Sequence, residues 1–193
     1  AAAPVSGCGG EQDAADTTSG STTDASARPS EAQKVGETGG LRVPEAVRYD
    51  PDLDVYFISN VNGNPSQRDN NGFIARVHPD SLNAVTVFAE GGARGLNLNA
   101  PKGLAIQGDT LFVTDIYMLR KFKKRTGEYF GAVNLRDYGA TFLNDIAIGP
   151  DGVYITDTGI QFDEQENMTH PGQHRVYKVN GLRVITALSG DSL

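Results

Sequence analysis

Pro101-Lys102-Gly103-Leu104-Ala105-Ile106, a Gln107-Gly108-Asp109 turn, and Leu111-Phe112-Val113-Thr114-Asp115 form two short β-prone runs separated by turn residues. The same phrase occurs earlier as Pro44-Glu45-Ala46-Val47-Arg48-Tyr49 with Tyr56-Phe57-Ile58-Ser59-Asn60. It returns as Leu143-Asn144-Asp145-Ile146-Ala147-Ile148 with Val153-Tyr154-Ile155-Thr156-Asp157. The starts are 57 and 42 residues apart. A repeat of short strands at roughly 40 to 50 residues predicts a β-propeller, each repeat being one four-stranded blade.

Four strands are expected in each repeat. Blade one (about 44–95) takes Ala46 to Tyr49, Val55 to Asn60, Gly72 to Val77 and Ala84 to Phe88. Blade two (about 101–138) takes Gly103 to Ile106, Leu111 to Asp115, Tyr117 to Phe122 and Tyr129 to Leu135. Blade three (about 143–188) takes Asn144 to Ile148, Val153 to Asp157, Arg175 to Val179 and Arg183 to Leu188. The expected fold class is therefore all-β, an open propeller arc of three blades over residues 41–193.

Blades one and three carry long polar insertions between strands two and three, Val61 to Asn71 and Thr158 to His174, where blade two has only a residue or two. In an up-and-down blade that connection emerges on the same face as the entry into strand one. Both insertions are thus expected on the face presenting Glu45, Lys102 and Asn144, where rigid strands gather polar groups around a channel. Asn60, Asp115 and Asp157, which close strand two of each copy, read as caps of the following turn. Lys121, Lys123, Lys124 and Arg125 read as a solvated hairpin cluster. His170 and His174 are four apart in an expected loop, without a helix to align them as metal ligands.

Charge is unevenly spread. Residues 1–40 hold Glu11, Asp13, Asp16, Asp24, Glu31 and Glu37 against Arg28 and Lys34, a net -4 of the chain's -7. The rest carries no basic footprint for nucleic acid. Residues 9–40 are rich in Gly, Ser, Thr, Ala and acids without an aromatic, and are expected to form a disordered tether. Ahead of it, Val5-Ser6-Gly7-Cys8 resembles the lipobox of bacterial lipoproteins. That resemblance implies cleavage before Cys8, lipidation of its thiol and an exported chain, anchored in a membrane and facing the periplasm or cell surface. Gly9 resembles the sorting position of lipoproteins sent to the outer membrane of a diderm cell. Residues 1–8 are then the remnant of a signal peptide.

Pro-x-Gly/Ala-aliphatic-Ala, followed by aromatic-Val/Ile-Thr-Asp, resembles the six-bladed propellers of the SMP-30/gluconolactonase and NHL-repeat superfamily. The resemblance covers residues 44–188: blade two is most similar to an NHL repeat, and Asn144-Asp145 with Pro150-Asp151-Gly152 to a gluconolactonase segment. It implies that the full-length protein is a divalent-metal-dependent hydrolase of lactones or related esters, with Glu45 as a Ca²⁺ ligand, Asn144 positioning substrate and the remaining ligands on a fourth and fifth blade, these three blades alone being inactive. Two departures stand against it. Proline precedes Glu45, and Lys102 brings an ammonium that either pairs with Glu45 or faces an anionic substrate. The alternative is a non-catalytic propeller binding a protein, a glycan or a small, carbohydrate-like ligand on the loop-rich face. Three blades do not close a ring, so the arc is expected to be part of a longer protein, or else to pair with a second arc into six blades. Alone, it should be weakly stable or self-associating through its end faces.

Overall fold

The computed structural model describes residues 32–163, 165, 167–170 and 173–191. Cys8 and the expected tether as far as residue 31 lie outside them, and residues 32–40 carry neither helix nor strand. All twelve expected strands are present in three four-stranded antiparallel sheets. Blade one is β1 (Pro44–Asp50), β2 (Val55–Asn60), β3 (Phe73–Val77) and β4 (Thr86–Glu90). Blade two is β5 (Pro101–Gln107), β6 (Thr110–Asp115), β7 (Met118–Lys123) and β8 (Tyr129–Asn134). Blade three is β9 (Leu143–Gly149), β10 (Gly152–Asp157), β13 (Gln173–Asn180) and β14 (Arg183–Asp191).

Two details differ from expectation. A one-turn helix at Pro79–Ser81 occupies part of the link into β4, which begins at Thr86 rather than Ala84. The third insertion is not a bare loop, because β11 (Gln161–Phe162) and β12 (Met168–Thr169) pair within it as a small hairpin. The tight return from β13 to β14 uses Gly181 at φ 63°, a conformation a Cβ would strain.

Blade one packs on blade two, and blade two on blade three. Alternation decides which way each side chain goes. Phe57 on β2 joins Leu104, Leu111 and Val113 of blade two in one core cluster. Phe112 on the other face of β6 joins Ile146, Val153 and Ile155 of blade three in another. With both faces covered, Leu111 through Asp115 are all buried, which explains why β6 reads as a continuous apolar run.

The first strand of every blade is bulged at the same place. Pairing shifts between Pro44 and Val47, between Pro101 and Leu104, and between Leu143 and Ile146 where they face Asp157 and Ile155. A bulge re-aims side chains and takes backbone groups out of the ladder. Glu45, Lys102 and Asn144 sit on these three bulges.

The freed backbone groups are satisfied by hydroxyls. Gly103 N–H donates to Thr114 Oγ1 at 2.8 Å, and Thr114 Oγ1 donates to the Asn144 carbonyl of the next blade at 2.6 Å. One blade earlier, Ala46 N–H donates to Ser59 Oγ at 3.0 Å, and Ser59 Oγ donates to the Lys102 carbonyl at 2.6 Å. The strand-two hydroxyl therefore closes its own bulge and locks to the next one. Gly103 is required by the closeness of this contact: a Cβ there would lie 2.5 Å from the Asn144 carbonyl oxygen and 2.8 Å from the Asp145 Cα.

Asn60, Asp115 and Asp157 do cap backbone amides, but mainly those entering strand one rather than the turn that follows. Arg42 N–H donates to Asn60 Oδ1 at 2.8 Å, Ala100 N–H to Asp115 Oδ1 at 2.8 Å and Phe142 N–H to Asp157 Oδ1 at 2.9 Å. Only Asp157 also reaches forward, to Gly159 N–H at 3.2 Å. The bulge shortens strand one and leaves the amides just before it without ladder partners, and the carboxylate on the adjacent strand is the nearest acceptor.

The reading of the Lys121–Arg125 hairpin as solvated is corrected at Lys124. Its side chain is 1% exposed, and Nζ donates to Asp50 Oδ1 at 3.0 Å and Asp52 Oδ2 at 2.7 Å across the blade boundary. Lys123 and Arg125 do stay at the surface, facing Glu128 and Asp109.

Candidate functional site

The two insertions line one cleft, as strand parity requires. Together with the short β6–β7 connection they enclose a cleft of about 480 Å³. One wall is Asn64, Gln67 and Arg68 of the first insertion, the other is Gln161 and Asp163 of the second, and Tyr117, Arg136 and Phe142 lie between. Because blade two has almost no connection there, Tyr117 is left as the floor between two taller walls.

Two arginines converge on that tyrosine. Arg68 Nη1 donates to Tyr117 Oη at 3.2 Å, and the Arg136 guanidinium stacks 5.1 Å from the ring centroid. Their planar charge, with the amides of Asn64, Gln67 and Gln161, gives a site able to hold a carboxylate and several hydroxyl groups. Asp163 supplies the acidic edge, its carboxyl held below the usual range by hydrogen bonds from Asn167 and from the backbone of Gln165. Sequence reasoning located the insertions but did not single out Arg68, Tyr117 or Arg136. Tyr117 could have been found by asking what a missing insertion uncovers.

Lys102 is placed beneath this cleft rather than in it. Its side chain is buried, Nζ donates to the carbonyls of Pro65 at 2.9 Å and Ala100 at 3.1 Å, and the Phe142 ring lies 4.2 Å away. Burial pulls the ammonium down to about 8, with the charges of Asp115 and Glu45 offsetting only part of that. Lys102 thus props the first insertion and touches the cleft through Phe142. Glu45 is exposed, and Asn144 is half-buried with its carbonyl taken by Thr114. Among the described residues no group of three His, Cys, Asp or Glu side chains could hold a metal ion.

The depressed Lys102 makes a pH prediction. The unfolded chain keeps this proton up to the ordinary lysine range, whereas the folded chain releases it near 8, so between those values the unfolded state binds more protons and stability rises with pH. Between pH 8 and 9.5, below the tyrosine range, unfolding by urea should show a gain of about 2 kcal/mol that is absent in Lys102→Met. A flat profile in the wild type would mean that Lys102 is better solvated than this geometry implies.

No family model matches the chain, and no curated protein is similar to it by sequence. Among solved structures, it is similar to a luciferin-regenerating enzyme, an SMP-30/gluconolactonase-like propeller, with a TM-score of 0.54 at 16% identity. The match covers 79% of this chain and 49% of that one, so the chain spans about half the length of the enzyme it resembles. The computationally designed Ika4 protein is more distant, with a TM-score of 0.38 at 7% identity over 71% of this chain and 66% of that one. The likeness to the luciferin-regenerating enzyme shows the fold alone.

Proposed function

We propose that this chain is a ligand-binding propeller arc whose site is the cleft between the two insertions, and that it takes a small polyhydroxylated carboxylate, a sugar acid in chemical class. The observation that carries this reading is the convergence of Arg68 and Arg136 on Tyr117. A guanidinium pair selects an anion, an aromatic floor suits the apolar face of a sugar ring, and the flanking amides suit its hydroxyls. Calorimetric titration with glucuronate and with neutral glucose tests it. Glucuronate should bind and glucose should bind at least tenfold more weakly, and Arg136→Ala should lower glucuronate affinity about tenfold, the loss of one charge-assisted contact. Equal affinity for the two sugars, or an unchanged affinity in Arg136→Ala, would refute the site.

The hydrolase implied by the family resemblance is the second reading, favoured by the SMP-30-like fold. It requires Ca²⁺ on Glu45 with further ligands from blades beyond these three; among the described residues Glu45 belongs to no group of three His, Cys, Asp or Glu side chains, and the Lys102 cation is close enough to feel its charge. A calcium titration whose heat disappears in Glu45→Gln would reinstate the hydrolase reading.

Export and lipid anchoring through Cys8 belong to the same proposal and rest on the Val5-Ser6-Gly7-Cys8 motif alone. The mass of the N-terminal peptide from membrane-extracted protein should carry a diacylglyceryl thioether on Cys8.

A further inference from the structure

The first wall of the cleft is tied down at two points. Inside the insertion, Asn64 Oδ1 accepts from Ser66 N–H at 3.0 Å and from Ser66 Oγ at 2.8 Å, and the Asn64 carbonyl accepts from Gln67 N–H at 3.2 Å. Residues 64–67 thus hold one another in a turn around Pro65. Among the described residues, two hydrogen bonds join residues 63–68 to the rest of the fold: Arg68 Nη1 to Tyr117 Oη, and Lys102 Nζ to the Pro65 carbonyl. The first is exposed. The second comes from a side chain that is 1% exposed and also holds the Ala100 carbonyl, and it is the firmer anchor of this wall.

The second wall hangs on Phe142. Its carbonyl accepts from Thr158 N–H at 3.1 Å and Thr158 Oγ1 at 3.3 Å, at the root of the insertion, and its ring lies 6.1 Å from that of Phe162 on β11. Phe142 is itself fixed, being buried and donating its N–H to Asp157. The Lys102 ammonium stands 4.2 Å from the centre of the Phe142 ring, close enough for a cation–π contact shielded from water. One side chain therefore touches the anchor of each wall, and Phe142 passes the contact on to the hairpin of β11 and β12.

We propose that Lys102 is the positioning residue of the cleft, coupling the two insertions so that Arg68 on one wall and Gln161 and Asp163 on the other keep the separation a ligand meets. Packing alone does not explain the residue. A methionine would fill much the same space, yet it would offer no donor to the Pro65 and Ala100 carbonyls and no charge to the ring. What the coupling does to binding rests on the sugar-acid reading of the cleft, whereas the coupling itself does not. Because coupling is reciprocal, a ligand that holds Arg68 also steadies the hairpin of the opposite wall.

Amide exchange read by NMR on the 193-residue chain tests this. In Lys102→Met, Gln67 in the first wall and Thr158 and Asp163 in the second should exchange about tenfold faster, with Leu111 and Val113 of β6 unchanged. Lys102→Arg, which keeps a cation and its donors, should restore wild-type rates in both walls. Glucuronate should bind Lys102→Met about tenfold more weakly. Adding Phe162→Ala should cost nothing further, since both substitutions break one connection, whereas adding Arg136→Ala should multiply the loss. Unchanged exchange at Thr158 and Asp163, faster exchange reaching Leu111 and Val113, or independent effects of Lys102→Met and Phe162→Ala would each overturn the proposal. If the wild type does not bind glucuronate, the sugar-acid reading falls and the exchange rates alone decide the coupling.

Discussion

Replacing Lys124 by alanine is expected to destabilise the arc by about 3 kcal/mol, the lower end of what breaking a buried ion pair costs. Asp50 is buried and has one carboxylate oxygen, Oδ2, without a hydrogen-bond partner among the described residues. Its other oxygen accepts from Asp52 N–H at 3.0 Å and from Lys124 Nζ at 3.0 Å, so removing the ammonium leaves a buried charge with one backbone amide and no counter-ion. The figure stays low in its range because Asp52, the second acceptor, is 63% exposed and lets water approach. Burial opposes the charge on Lys124, but hydrogen bonds to Asp52 and Asp50 outweigh it and hold the ammonium above the ordinary lysine value. Lys124→Met with Asp50→Asn should recover most of the loss, since neither partner then carries a buried charge. Urea melts of the wild type and the two variants decide it, and a loss below about 0.5 kcal/mol in Lys124→Ala would give the pair no more weight than an exposed one.

The same residue shows where sequence reading stopped. Lys124 lies in a run of four cations around a turn, and local composition places such a run in water. What buries it are two aspartates 74 and 72 residues away on the previous blade, and no local window contains them. The repeat itself was legible because each blade is a local unit, with its alternation, its turns and its strand-two aromatic within about 50 residues. The face shared by the insertions was legible too, since parity follows from counting strands.

The hydroxyl lock was half legible. Ser59, Thr114 and Thr156 recur visibly, but their task depends on a bulge carbonyl in the neighbouring blade, and bulges leave no mark in an apolar pattern. Lys102 illustrates the converse. At the head of β5 it reads as an ammonium near Glu45, and its charge does feel Glu45. Its hydrogen bonds go instead to the carbonyls of Pro65 and Ala100, because the first insertion folds down over it and excludes the water an ion pair at the mouth would need.

Asp115→Ala should cost more than Lys124→Ala, about 4 kcal/mol, because three kinds of partner lose their acceptor at once. Asp115 is fully buried at the centre of the middle blade. Its Oδ1 accepts from Ala100 N–H at 2.8 Å, its two oxygens share Asn99 N–H at 3.2 Å, and its Oδ2 accepts from Arg120 Nε at 2.7 Å. Arg120 is itself buried, so the substitution strands a guanidinium as well as two amides that the bulged β5 cannot pair. Asp115→Asn separates these contributions: the amide oxygen can still accept from Asn99 and Ala100, while the charge opposite Arg120 is gone. The expected order of stability is therefore wild type, then Asn, then Ala, with the larger step between wild type and Asn if the ion pair dominates and between Asn and Ala if the backbone caps do. Asp157 makes the corresponding caps on Thr141 and Phe142 without an arginine, adding Thr141 Oγ1 and Gly159 N–H, so Asp157→Ala gives an upper bound on the capping share. If Asp115→Ala costs no more than Asp157→Ala, Arg120 adds no more than the Gly159 and Thr141 hydroxyl contacts that Asp157 makes in its place.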